Sequence, residues 1–129
     1  MNEIANETFD YEKFQEIMKI IWNCIESTEG KTWKQIFKAL SLLDYLIKNG
    51  SERVIDVCRD KQYKLRGLQD FSYYEGPQDK GQGIRDKSKM ILDLLADNDE
   101  IRAEREKAKQ LRSKFVGISS DRGGFSDGG

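Results

Sequence analysis

Histidine is absent from this 129-residue chain, which removes the side chain that most often acts as general base or metal ligand near neutral pH. Histidine-based catalytic triads, histidine zinc sites and imidazole pH switches are excluded with it. Cysteine is nearly absent: Cys24 and Cys58 fit neither a CxxC motif nor a disulfide framework, and they read as small thiols in a reducing compartment. Proline occurs once, at Pro77, and valine and threonine are scarce, so little in the chain favours strands. No apolar run approaches the roughly 20 residues that span a bilayer, and the opening Met1-Asn2-Glu3-Ile4 is acidic where a signal peptide is basic. The chain therefore reads as cytoplasmic, with any membrane contact peripheral. A positive excess is lacking too. Lys and Arg number 22 against 23 Asp and Glu, so no bulk charge draws the chain to nucleic acid.

What is present fits one folded domain. Charged residues reach 35%, but 10% aromatics and a steady supply of Ile and Leu argue against disorder. The apolar spacing is helical almost throughout, which makes the chain all-α, with six or seven short helices in a compact array or superhelical stack. A first segment holds Ile4 and Thr8. Asp10 is placed to cap a second helix with the stripe Phe14, Ile17, Ile21 and Ile25. Thr32-Trp33-Lys34-Gln35 has the form of a capping box. It opens a helix whose apolar face is Trp33, Ile36, Phe37, Leu40, Leu43 and Ile47, closed by Asn49-Gly50. Ser51 is placed to cap the next helix, with a break expected near Asp60-Lys61. Residues 71–83 hold three glycines and the proline, and read as a mobile surface loop or a recognition loop. Ile84, Ser88, Ile91, Leu92 and Leu95 mark a further helix, and Asp97-Asn98-Asp99 starts a last, mostly charged one. A domain over 1–115 and a flexible Gly/Ser-rich tail over 116–129 are expected.

Little catalytic equipment is visible. Gly81-Gln82-Gly83-Ile84-Arg85-Asp86-Lys87-Ser88 resembles a phosphate cradle only loosely, because no apolar strand precedes it and Asp86 stands where a Walker loop needs glycine. No nucleophile and base are paired, no metal-ligand spacing appears, and no cofactor is called for. Lys31, Lys34 and Lys38, three and four residues apart, form a local positive stripe in an acidic chain. That stripe is either an ordinary solvated face or a site for phosphate headgroups. Read from the residues alone, the chain is a binding module.

Three strings then carry a resemblance: Trp33-Lys34-Gln35-Ile36-Phe37-Lys38-Ala39-Leu40, Asp44-Tyr45-Leu46-Ile47-Lys48-Asn49-Gly50-Ser51-Glu52-Arg53-Val54, and Gly81-Gln82-Gly83-Ile84. They resemble the ENTH domain of epsins, with similarity from about Glu3 to Lys114. The ending Lys114-Phe115-Val116-Gly117-Ile118-Ser119-Ser120-Asp121 is most similar to the epsin-related branch that works with clathrin adaptors at the Golgi and endosomes. The resemblance implies a superhelical α-solenoid that is no enzyme, binds phosphoinositide headgroups, and serves clathrin-linked vesicle trafficking. Partners implied are a phosphoinositide-containing membrane, clathrin and adaptor machinery reached through a longer tail, and the helical N-terminal bundle of an endosomal SNARE. A monomer is expected. Lys31 matches a headgroup-ligand position of the family and Lys34 stands beside it. Cys24, by contrast, occupies an arginine position, and Gln35 replaces the histidine of plasma-membrane epsins. The family's lipid-inserting helix has no counterpart in these residues. A protein-only interaction domain is thus the alternative expectation, and a VHS-type sorting-signal reader a more distant one. Phe9 matches an aromatic on the SNARE-docking face; read from the residues, it is equally a core or staple residue closing the Phe9-Asp10 turn.

Overall fold

A computed structural model of the chain describes residues 2–27 and 30–124, with side chains described for 3–27 and 31–113. Seven α-helices lie among the described residues: α1 (Asn2–Glu7), α2 (Tyr11–Glu26), α3 (Trp33–Asn49), α4 (Arg53–Asp60), α5 (Gln62–Gly67), α6 (Gln82–Leu95) and α7 (Asn98–Gly124). A two-stranded hairpin, β1 (Tyr74–Glu75) and β2 (Gln78–Asp79), stands between α5 and α6. The helices wind as a superhelical α-solenoid, the all-α class expected from the spacing.

The fold is laid around α3. Ile36, Leu40, Leu43 and Ile47 recur at three- and four-residue spacing and are fully buried, with Ala39 and Leu46 beside them. This stripe meets α1, α2, α4, α6 and α7. From α2 come Phe14, Met18, Ile21, Trp22 and Ile25, and from α6 Ile84, Ile91, Leu94 and Leu95. Ile17, in the expected stripe, sits only half-buried at its edge. The Asp10 carboxylate accepts the Glu12 and Lys13 amides at 3.0 and 3.2 Å, which is the expected N-cap of α2. The break at Asp60-Lys61 also falls where expected, at the junction of α4 and α5.

Three local expectations are corrected. The capping box is not built: α3 is entered through a 3₁₀ turn, Gly30–Thr32, no side-chain bond from Thr32 caps the helix, and the Thr32 hydroxyl lies 3.1 Å from that of Ser27. Phe37 is 38% exposed rather than core, because one residue beyond Ile36 turns it to the rim of the stripe, where its ring lies over Gly83. The 71–83 segment carries a short hairpin where an irregular loop was expected. Gly76, at φ +63°, and Pro77 form the two-residue connection of the hairpin, as a II′ turn demands. The last helix carries its backbone through Gly124, and residues 125–129 lie outside the described residues.

The C-terminal end of α3 is where distant parts of the chain meet. Its last carbonyls lack intrahelical partners: that of Leu46 accepts the Gly50 amide, and guanidinium groups from α7 reach the rest of the junction. Arg105 donates to the Ile47 carbonyl and, at 2.7 Å, to that of Gly50, while Arg112 donates to the Asn49 side chain. Partial burial at this junction lowers the Arg105 pKa, yet the group stays a cation and completes a helix terminus that favours positive charge. From the other side comes Thr8, fully buried, whose hydroxyl donates to the Ala5 carbonyl at 2.5 Å and accepts the Ser51 amide at 2.8 Å. Gly50 closes the junction through proximity. Its φ of −98° suits any residue, but a Cβ there would stand 2.8 Å from the Thr8 hydroxyl oxygen and 2.9 Å from the Leu46 carbonyl oxygen.

Thr8→Val keeps the shape and removes both bonds, leaving the buried Ser51 amide without its acceptor. It is expected to cost about 1–3 kcal/mol in urea unfolding, with Thr8→Ser recovering most of the loss.

Candidate functional site

The basic stripe begins where the 3₁₀ turn feeds α3, so Lys31 and Lys34 project from the helix's N-terminal end, where the backbone dipole adds positive potential. Both are exposed, as is Lys38 one turn on. Trp33, half-buried between them and the core, is more than packing. The Lys34 ammonium lies 5.7 Å from its ring centroid and the Lys80 ammonium 5.4 Å. Its indole N–H donates to Glu75 at 3.4 Å. Two cations drawn to one ring, with Lys31 two residues away, make a compact cationic corner in a chain of net charge −1. Spacing along one helix could not find Lys80, because the hairpin delivers it from elsewhere in the chain.

The hairpin is held firmly enough to do so. Arg85 donates to Asp79 at 2.6 Å and to the Phe71 carbonyl at 2.7 Å, and the Asp79 carboxylate also accepts the Gly81 amide at 2.9 Å. The hydrogen bond from Arg85, then that from Gly81, hold the Asp79 carboxyl below the usual carboxylate range. These donors favour the charged form, so their support is fully present above the unfolded Asp pKa and fades as pH falls through the lowered folded value.

Two positions singled out in the sequence are chemically plain. Cys24 is half-buried against the core and Gln35 is exposed, and neither offers a cation to an anion. Cys58 is fully enclosed, and burial pushes its thiol up to about 12, which keeps it protonated and inert. Among the described residues no group of three or more Cys, Asp or Glu is arranged to hold a metal ion. No helix among them is long and apolar enough to cross a membrane.

Phe9 stands at the opposite entrance to α2. It is 61% exposed, so the reading of it as a core or staple residue gives way; buried Thr8 and the Asp10 cap close that turn instead. Beside it Tyr11 is 60% exposed, its ring under the Arg53 guanidinium at 5.4 Å.

A superhelix, of seven α-helices among the described residues, with a cationic corner at the start of its central helix defines a class of binding domain, and comparison with known proteins says which. The family model for the ENTH domain matches residues 1–101, and the chain belongs to that family. It is 44% identical over 127 residues to human clathrin interactor 1, covering 97% of this chain and 20% of that protein. The chain thus spans about a fifth of the length of the curated relatives it first matches. The crystal structure of the human epsinR ENTH domain superposes with a TM-score of 0.79 at 41% identity, covering 84% of this chain and 80% of that one. The epsin-2 ENTH domain, solved in complex with phosphatidylinositol 4,5-bisphosphate, matches at a TM-score of 0.78 and 34% identity, covering 82% and 75%.

Two measurements check the site's geometry. In an NMR pH titration the Asp79 carboxyl is expected to titrate below free aspartate, and hairpin amides to shift with it; Asp79→Asn abolishes that transition. With a thiol reagent at pH 8, Cys24 is expected to react in the native state and Cys58 only on unfolding.

Proposed function

We propose that the chain is a non-enzymatic adaptor module of vesicle trafficking that contacts phosphoinositide headgroups through Lys31 and Lys34, with Lys80 as the third cation. The observation that carries this reading is the corner around Trp33, where lysines from the start of α3 and from the hairpin share one ring. Among the described residues Lys31 and Lys34 form no ion pair, so a phosphate entering the corner meets point charges and the dipole of a helix N-terminus. The epsin-2 ENTH complex, a related domain with a bound phosphoinositide, supports the ligand class. The likeness to clathrin interactor 1 supports clathrin and adaptor machinery as the setting, with residence on clathrin-coated, Golgi or endosomal membranes. Phe9 and Tyr11, exposed at the start of α2, suit the aromatic anchors of a protein-docking face, and a SNARE N-terminal helical bundle is the partner proposed there.

A second reading, a protein-docking domain without lipid binding, is favoured by Cys24, since a thiol cannot make the bidentate phosphate contact of a guanidinium.

Co-sedimentation with phosphatidylcholine vesicles, with and without a phosphoinositide, separates the two readings. Binding that depends on phosphoinositide, weakens with salt and falls by roughly thirtyfold in Lys31→Glu/Lys34→Glu, at about 1 kcal/mol per lysine near the surface, is expected. Equal binding by wild type and variant would remove the headgroup site from the start of α3.

A further inference from the structure

A groove lies at the other half of α3, about 15 Å along the helix from Lys34 at 1.5 Å per residue. It has a volume of about 530 Å³ and runs between the end of α3, one face of α6 and the first turns of α7. Six carboxylates line it: Asp44 from α3, Asp86 and Asp93 from α6, Asp97 at the turn, and Glu100 and Glu104 from α7. Lys48 and Lys89 are the two cations in its lining, and both are engaged locally. Lys48 lies 3.3 Å from Asp44 and 3.8 Å from Glu104, and Lys89 lies 3.3 Å from Asp93. Asp97 and Glu100 form no ion pair among the described residues. The floor is apolar: Leu94 is buried there, and Met90 beside it is 43% exposed, an adaptable thioether left in water.

Asp44 is also paired with Lys87 and Glu104 with Lys107, each at 3.4 Å, so the groove's uncompensated negative charge rests on Asp86, Asp97 and Glu100, beside an apolar anchor point. We propose that it docks a basic amphipathic helical segment of a partner protein, with an apolar side chain on Met90 and Leu94 and lysines or arginines against the carboxylates. Charge complementarity selects this occupant. An anionic leaflet would be repelled by the rim, and the carboxylates are not gathered closely enough to hold a metal ion. The spacing suits a helix, because Asp86 and Asp93 are two turns apart on α6, about 10 Å, and a partner helix repeats on the same rise. This surface is separate from the cationic corner, so the chain has two electrostatically opposite faces with different ligands.

The test is an NMR titration of the isotopically labelled chain with an alanine-based helical peptide of about 15 residues, long enough to hold helix in water, carrying arginines on either side of a leucine anchor. Shifts confined to α6, the turn at Asp97 and the first turns of α7 are expected. Asp93→Lys/Glu100→Lys, both at exposed positions, is expected to weaken the peptide by at least roughly tenfold. Met90→Ser weakens it with the salt dependence unchanged, and Lys31→Glu/Lys34→Glu leaves it intact. Circular dichroism confirms that each variant folds. Shifts scattered over the surface, equal binding of a scrambled peptide of the same composition, or indifference to the Asp93/Glu100 reversal would overturn the proposal. So would loss of self-association in the reversal variant without loss of peptide binding, which would assign the groove to a second copy of the chain.

Discussion

The completion of α3 from outside itself is the constraint on which the rest of the molecule depends. A buried central helix must satisfy its last carbonyls, and here the Ile47 carbonyl and that of the Gly50 cap take their donor from Arg105, on the helix at the far end of the sequence. That single arrangement fixes α7 against α3, and with it the wall of the groove formed by Glu100 and Glu104. The same junction receives Thr8 from α1, so both ends of the described chain are tied to one point of the core. The cationic corner sits at the opposite terminus of the same helix, where the dipole of a helix N-terminus favours anions. One helix thus supplies polarity to the whole domain: cation-capped at one end, anion-seeking at the other.

Much of this was legible in the sequence. Ile36, Leu40, Leu43 and Ile47 repeat closely enough to declare a buried helix, and Asp10 before Phe14 declares where α2 begins. What the pattern could not give was the width of a buried face. Phe37 follows Ile36 directly and is as apolar, but a turn of 100° separates interior from rim. The Thr32 to Gln35 string had the letters of a capping box, yet the chain arrives through a 3₁₀ turn and the geometry for it is absent. Local composition also misjudged the 71–83 segment. Glycine and proline break helices, but Gly76-Pro77 is also a two-residue hairpin turn, and the salt bridge that secures it involves Arg85, beyond the segment.

The candidate site was half legible for the same reason. Lys31 and Lys34 share a helix side and an evident sign, so spacing finds them. Lys80 meets Trp33 only after the hairpin folds, and no sequence period connects the two. Trp33 was assigned wholly to the core because its position is apolar-periodic, whereas the ring divides its area between the core and two ammonium groups. Exposed Phe9 shows the converse: the apolar residue was visible, but its burial was decided by Thr8 taking the interior position beside it.

The crowding around Gly50 bears on how the sequence can drift. A side chain at position 50 would collide with a threonine hydroxyl, which a change at position 8 could remove, and with the Leu46 carbonyl, which no side-chain change can remove. A larger residue at position 50 therefore requires the backbone at the end of α3 to shift as well as a change at position 8. Surface positions such as Lys38 or Glu106 are free to wander independently, while glycine at this corner is a fixed datum from which the register of α1, α4 and α7 is measured.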